Sequence, residues 1–320
     1  MHSLFLTFDT EDFISENSIP ALHHMLELLK KYDLHALFFI TGHMAEALSI
    51  FPKTTELLND HQIGYHTSSH SVHPTLFEFT DVQSYNEAYQ TSVTRETAHI
   101  NPLTGEIQGL GGIHSLQDLF PGKKIVSFRA PGYCLSPPHL EALKTFGISY
   151  DFSTNLSLDP VSYGGVTFYP FPLFPDDWQG GVRGHLRLQK FIMGRTISVL
   201  TIHPSKLVNK LDWDLIYNPK FNAGGPNPQK LAQLPAKNPA EVSCAFNKFE
   251  LLLKHLKYLQ KSHILTVTSH LEQANKILQP TIADIEKCYR LSSKWIAEFG
   301  YNPKFLYNHF LKFFKEYSSI

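Results

Sequence analysis

The sequence predicts an α/β domain with a mainly parallel sheet, open or closed into a barrel. Two observations carry this. Short apolar runs of strand length alternate with segments whose apolar residues recur at helical spacing. Hydrophobic residues make up 42% of the 320-residue chain and charged residues 18%, enough to build one large core. The formal net charge is -1, which removes the electrostatic case for a nucleic-acid partner. Cys134, Cys244 and Cys288 form no close pair, so reduced thiols are expected rather than a disulfide framework.

The elements follow in order. Leu4 to Phe8 reads as a buried strand that opens almost at the first residue, so no signal peptide is expected and the expected location is cytoplasmic. Ser18 before Ile19-Pro20 is a candidate cap, and Leu22, Leu26 and Leu29 form the stripe of the first helix. Strands are expected at Ala36–Ile40, Gln62–Tyr65, Lys124–Phe128, Thr196–Ile202 and Ile264–Thr268, and helices after Ser136 and over Pro239–Lys261. Two Gly- and Pro-rich stretches, 101–122 and 205–239, read as lids or binding loops. In the second, Trp213, Tyr217 and Phe221 could stack on a ring or pin the loop, and Trp178 has the same two readings. From about Asn275 the pattern is helical to the end.

Polar residues sit where strands end. Asp9, Glu11 and Asp12 follow the first strand, and close like charges need a metal, a catalytic role or solvation to offset them. His66 and His70 lie four apart after another strand, which on a helical turn aims both imidazoles at one point; the ordinary alternative is a pair of surface residues. Arg129 follows a third strand and could hold a carboxylate or form a rim ion pair. His203 leaves a fourth strand, where a hydrogen-bonded core histidine is the alternative, and Asp151 could orient it. In a parallel sheet the carboxyl ends of the strands share one rim, so these groups should converge.

Taken together, the motifs resemble those of the NodB-like polysaccharide deacetylases, carbohydrate esterase family four. Thr7-Phe8-Asp9 is similar to its opening strand, Ala36 to Gly42 to its second, Gly64 to His70 to its GxxHTxxHP motif, Arg129-Ala130-Pro131 to its RxP motif and Ile202-His203-Pro204 to its last, over roughly residues 3 to 270. The resemblance implies a distorted (β/α) barrel of the NodB type, a catalytic domain over 1–274 and a helical C-terminal extension over 275–320. It implies metal-dependent removal of an N-acyl group, expected to be acetyl, from an amino sugar of a polysaccharide or its precursor. Asp9 would be the general base, Arg129 its orienting partner, His203 the general acid tuned by Asp151, and the Gly132 N–H an oxyanion donor. His66 and His70 would bind a divalent metal, commonly zinc.

The chain departs from the pattern at Thr10, where the family's metal-binding aspartate usually stands. Residues two apart on a strand share a face, so Glu11 becomes the candidate third ligand, with Asp12 pointing away or capping a turn. The departure keeps open a hydrolase of non-sugar C–N bonds, such as cyclic amides or ureides; a second alternative, a non-catalytic carbohydrate-binding relative, is opposed by the retained base, histidine pair, arginine and acid. The aromatic, modestly basic helix over 303–315 suggests packing on its own domain or a second subunit, or contact with a membrane surface or lipid-linked sugar.

Overall fold

A run of alternating large apolar residues makes His2–Thr10 the central strand, β1, buried from Leu4 onward. The computed structural model of the chain describes residues 2–70, 82–100, 107–173, 196–211, 234–274, 276–298 and 302–316. The sequence-predicted roles of Trp178, Trp213, Tyr217 and Phe221 lie outside these residues. After β1 come α1 (Ser18–Lys31), β2 (Leu37–Ile40), α2 (Gly42–Leu48), α3 (Pro52–Leu58), β3 (Gln62–Tyr65), α4 (Tyr85–Thr97) and the pair β4 (Ala98–Ile100) and β5 (Ile107–Leu110). The order continues with α5 (Gly112–Leu119), β6 (Ser127–Phe128), a 3-10 turn at Pro131–Tyr133, α6 (Pro137–Lys144), β7 (Tyr150–Asp151), β8 (Val161–Tyr163) and β9 (Val166–Phe168). It ends with β10 (Ile197–Ile202), α7 (Ser205–Val208), α8 (Pro239–Lys261), β11 (Leu265–Thr268), α9 (Ile282–Glu298) and α10 (Leu306–Glu316).

Among the described residues the main sheet runs β10-β1-β2-β3-β6-β7-β9-β8, with β11 beside the start of β1. Its pairings are parallel except in the β8–β9 hairpin. The chain leaving β9 crosses to the far edge. There the Leu173 N–H donates to Val199 O (2.9 Å) and its carbonyl accepts from the Thr201 N–H (3.0 Å). Linking the two edges curls the sheet into the expected distorted barrel.

Side-chain alternation sorts the core into two layers. Leu4, Leu6 and Phe8 of β1 pack with Leu22, Leu26 and Leu29 of α1 and Leu252 and Leu256 of α8, outside the sheet. Phe5 faces the other way and joins Leu37, Phe39, Phe152, Tyr169 and Val199 in a cluster without helix residues, the floor of the barrel interior. Two large buried side chains, Phe152 and Tyr169, stack within it at 4.3 Å.

Several local expectations change. Ser18 begins α1 rather than capping it, and Asn17 makes no side-chain cap bond. Half of the 101–122 stretch is regular, forming β5 and α5, while the strand predicted over 124–128 narrows to β6. His66 to His70 is not a helical turn: Thr67 and His70 take left-handed backbone at φ 62° and 58°. The apolar face of α10 is spent inside the molecule. Leu306, Phe310, Phe313 and Phe314 are buried, and the Tyr163 hydroxyl donates to Phe314 O at 2.6 Å. The extension also adds an edge to β8, since Ser162 N–H donates to Lys276 O and Leu278 N–H donates to Ser162 O, both 2.8 Å.

His61 ties α3 to β2: its Nδ1 accepts the Ala36 N–H at 3.3 Å and must be unprotonated to do so. Burial, with His35 nearby, pushes its pKa down to about 4. The unfolded chain then binds this proton first, so the contribution is present above about pH 6.5 and lost as pH falls toward 4. A shift of that size corresponds to roughly 3 kcal/mol. We expect the stability difference between neutral and acidic pH, measured by urea unfolding, to shrink by up to that amount in His61→Gln.

Candidate active site

Above the apolar floor the inward positions turn polar in step. On β1, Phe5 gives way to Thr7, Asp9 and then Glu11; on β10, Val199 gives way to Thr201 and then His203; beyond β3 and β6 the inward positions are His66 and Arg129. Thr7 and Thr201 join across the strands at 2.9 Å. The carboxyl ends of four strands thus deliver their polar residues to one end of the barrel, as the shared-rim argument requires.

Arg129 is fully buried at the centre of this layer. Its Nη1 donates to Asp9 Oδ1 at 2.5 Å and to Thr7 Oγ1 at 3.0 Å, and its Nε to Phe152 O at 3.4 Å. The guanidinium lies 4.3 Å from the centre of the Phe39 ring. Asp9 therefore has one oxygen bound to a cation, while Oδ2 faces His203 Nε2 at 3.6 Å. His203 is the most open of these side chains, 14% exposed against 3% for Asp9.

Glu11 and the two histidines form a second group beside the first. Glu11 Oε2 lies 3.0 Å from both His66 Nε2 and His70 Nε2. His66 Nδ1 is 2.7 Å from the Arg129 carbonyl, which only accepts, so Nδ1 carries the proton and donates. In the neutral ring Nε2 is then a lone-pair nitrogen. Two acceptors at 3.0 Å repel unless a proton or a cation lies between them. Burial pushes the Glu11 carboxyl up, but with the proton that relieves this repulsion on the imidazoles, the His70 charge and the hydrogen bonds from His66 and His70 outweigh burial and hold the group well below the usual carboxylate range. One ionised oxygen and two imidazole nitrogens, all within 4.8 Å of one another, fit a divalent cation of the kind that accepts mixed N and O ligands. Asp9, Glu11 and His203 form an overlapping group of the same span.

Asp12 stands apart and caps the turn after β1. Its Oδ1 accepts from the Ser15 N–H (2.9 Å) and Ile14 N–H (3.2 Å), and its Oδ2 from Asn209 Nδ2 (3.2 Å). Asp151 has a different setting from the one expected. Its carboxylate is bound by the Ser153 N–H (3.0 Å) and hydroxyl (2.7 Å), and Ser153 Oγ accepts the Ala130 N–H at 2.7 Å. Burial pushes its pKa up to about 6 against those bonds. The visible role of Asp151 is thus to brace the Arg129-Ala130-Pro131 segment. Gly132 follows in the left-handed region at φ 53°, and Tyr133 repeats that conformation at φ 58°.

Sequence reasoning passed over Thr7, Ser153 and Tyr133. Thr7 was findable, because it shares the face of Asp9 two residues on. The phenol of Tyr133, pushed up by burial, feels Arg129, Asp9 and Glu11. Its signal is lost in a turn that reads only as a Pro-Gly break.

Removing one partner of a buried ion pair strands the other. Asp9→Ala, which leaves the Arg129 guanidinium uncompensated, is expected to cost about 3 kcal/mol in urea unfolding, and Asp9→Ala with Arg129→Met together less than the sum of the two.

Residues 1–110 match the family model described as polysaccharide deacetylase. No curated protein matches the chain. Among solved structures it is similar to the peptidoglycan deacetylase PdaC from Bacillus subtilis, with 18% identity, 82% of this chain and 96% of that one covered, and a TM-score of 0.35. It is similar to the polysaccharide deacetylase Bc1974 from Bacillus cereus at 13% identity, 85% and 93% coverage and a TM-score of 0.40. It is also similar to BA3943, a CE4 family pseudoenzyme from Bacillus anthracis, at 15% identity, 63% and 54% coverage and a TM-score of 0.37. The chain spans just over half the length of that pseudoenzyme. The match to the polysaccharide deacetylase model covers about the first third of the chain, the part that contains Asp9, Glu11, His66 and His70.

Proposed function

We propose that the chain is a metal-dependent hydrolase that removes an N-acetyl group from an amino sugar of a polysaccharide or its precursor. The observation that carries this reading is the meeting of Asp9, Glu11, His66, His70, Arg129 and His203 at one end of the barrel. An amide carbon needs an activated water, a place for the oxyanion and a proton for the departing amine.

Glu11, His66 and His70 would hold the cation, commonly zinc in this family. When bound, a divalent cation polarises the amide carbonyl and lowers the pKa of water toward ~7. The rest falls to the side chains. Arg129 fixes Asp9 through Oδ1, which leaves Oδ2 to take the proton of the attacking water. His203, across from that oxygen and the more open of the two, would pass a proton to the amine. The Gly132 N–H would donate to the oxyanion, held by a turn that Ser153 and Asp151 brace from behind. Thr10 cannot supply the family's usual carboxylate, and Glu11 stands in for it on the same inward face as Asp9.

The test is acetate release from N-acetylated amino-sugar oligomers by the purified chain. Chelation should abolish it and zinc or cobalt restore it. Asp9→Asn and His203→Ala should each lower kcat by about 10²- to 10⁴-fold. Undiminished turnover in His203→Ala, or turnover untouched by chelator, would defeat the assignment.

A further inference from the structure

The outer face of β3 carries a buried polar chain that the chemistry above does not use. Tyr65, one residue before His66, points out of the barrel into the helix layer. Its hydroxyl donates to Glu96 Oε2 and lies 3.2 Å from Ser68 Oγ. Glu96, at the end of α4, is wholly buried, and its Oε1 lies 2.6 Å from His139 Nε2 on α6. Burying a carboxylate costs several kcal/mol unless partners satisfy it, so an acidic residue here needs a reason.

The direction of the chain supplies one. The Gly112 N–H donates to Ser68 Oγ at 3.1 Å. An N–H can only donate and a carboxylate can only accept. Each hydroxyl proton between them must therefore point one way, from Gly112 through Ser68 and Tyr65 to Glu96. Ser68 lies midway between His66 and His70. The same loop is bonded along its backbone, where Gly42 N–H donates to Thr67 O (3.0 Å) and His43 N–H to Ser68 O (2.9 Å). Packing leaves it little freedom: a Cβ on Gly112 would sit 2.6 Å from Ser68 Oγ, and one on Gly42 2.3 Å from the Gly112 Cα. The left-handed backbone at Thr67 and His70 persists only if its surroundings over-determine it.

We propose that Glu96 is a positioning residue for the histidine pair: by fixing the protons of Tyr65 and Ser68 it holds the 66–70 loop in the one form that brings both imidazoles to a common cation. His139 fixes Glu96 in turn. The inference rests on the metal reading of Glu11, His66 and His70. It makes Glu96, which touches none of the three, a determinant of metal affinity.

Cobalt(II) added to the metal-free full chain, followed by its visible absorption band and by zinc competition, tests this without any substrate. Tyr65→Phe, Ser68→Ala and Glu96→Gln should each weaken cobalt binding about 10- to 100-fold and change the band. The control is Tyr163→Phe, which removes another buried tyrosine hydroxyl, bonded to Phe314 O at 2.6 Å, and should bind cobalt as the parent does. Ser68→Ala removes one oxygen atom, so it reports even where a larger change fails to fold. Unchanged affinity in Tyr65→Phe and Ser68→Ala, or an equal loss in Tyr163→Phe, overturns the positioning role. A parent chain that binds no cobalt instead overturns the metal reading itself, and the positioning role with it.

Discussion

Everything at the barrel mouth depends on one buried cation. Arg129 has no contact with solvent, so its charge must be met inside, and Asp9 meets it at 2.5 Å. Nη1 also reaches Thr7 and Nε reaches Phe152, the guanidinium lies over the Phe39 ring, and the carbonyl of the same residue fixes the tautomer of His66. One residue thus connects β1, β2, β6, the segment after β7 and the loop after β3. Geometry at the site follows from the need to satisfy that charge, because leaving it unpaired costs more than any single contact around it.

The second constraint is the change of polarity along the strands. Phe5, Leu37, Phe39 and Val199 fill the lower interior and keep water from the strand bonds. One step higher the same inward register carries Thr7 and Thr201, and one step higher again Asp9 and His203. A shift of any strand by one residue would place Phe8 or Ile202 inside and the acid or imidazole in the helix layer. The apolar floor therefore sets the height and facing of the polar groups above it. It also explains why Glu11, though ionised, is nearly dry: it is paid for by two imidazoles rather than by water.

This register was legible in the sequence, since Asp9 and Glu11 fall at the odd positions opposite Leu4, Leu6 and Phe8. So was the long helix α8, whose capping box, Asn238 with Glu241, lies just before its apolar stripe. The histidine pair was legible as a pair but not as a shape. A spacing of four fits a helical turn and a loop with two left-handed residues equally well, and nothing in Thr67 or His70 announces positive φ. Asp151 was found by its place after a strand, yet its partner is the serine two residues on, a local bond that spacing alone does not favour over His203. Glu96 was out of reach. It lies in a polar helix where a glutamate reads as solvated, and only the fold brings Tyr65 and His139 to it.

The helices after residue 275 are part of the same construction. Pro131–Tyr133 places Gly132 and Tyr133 in the left-handed region one after the other, which for tyrosine costs about 1–2 kcal/mol. A turn so disposed relaxes unless it is packed from both sides. From within, the Tyr133 ring lies 5.9 Å from the Arg129 guanidinium and 4.8 Å from the Phe171 ring. From without, α9 covers the turn, with Ser292 Oγ donating to Tyr133 O at 3.4 Å, and α10 holds α9 in place by burying Leu306, Phe310 and Phe313. The backbone N–H of Gly132 is thus aimed by residues more than 150 positions further along the chain. These contacts join the strained turn to the helices after residue 275.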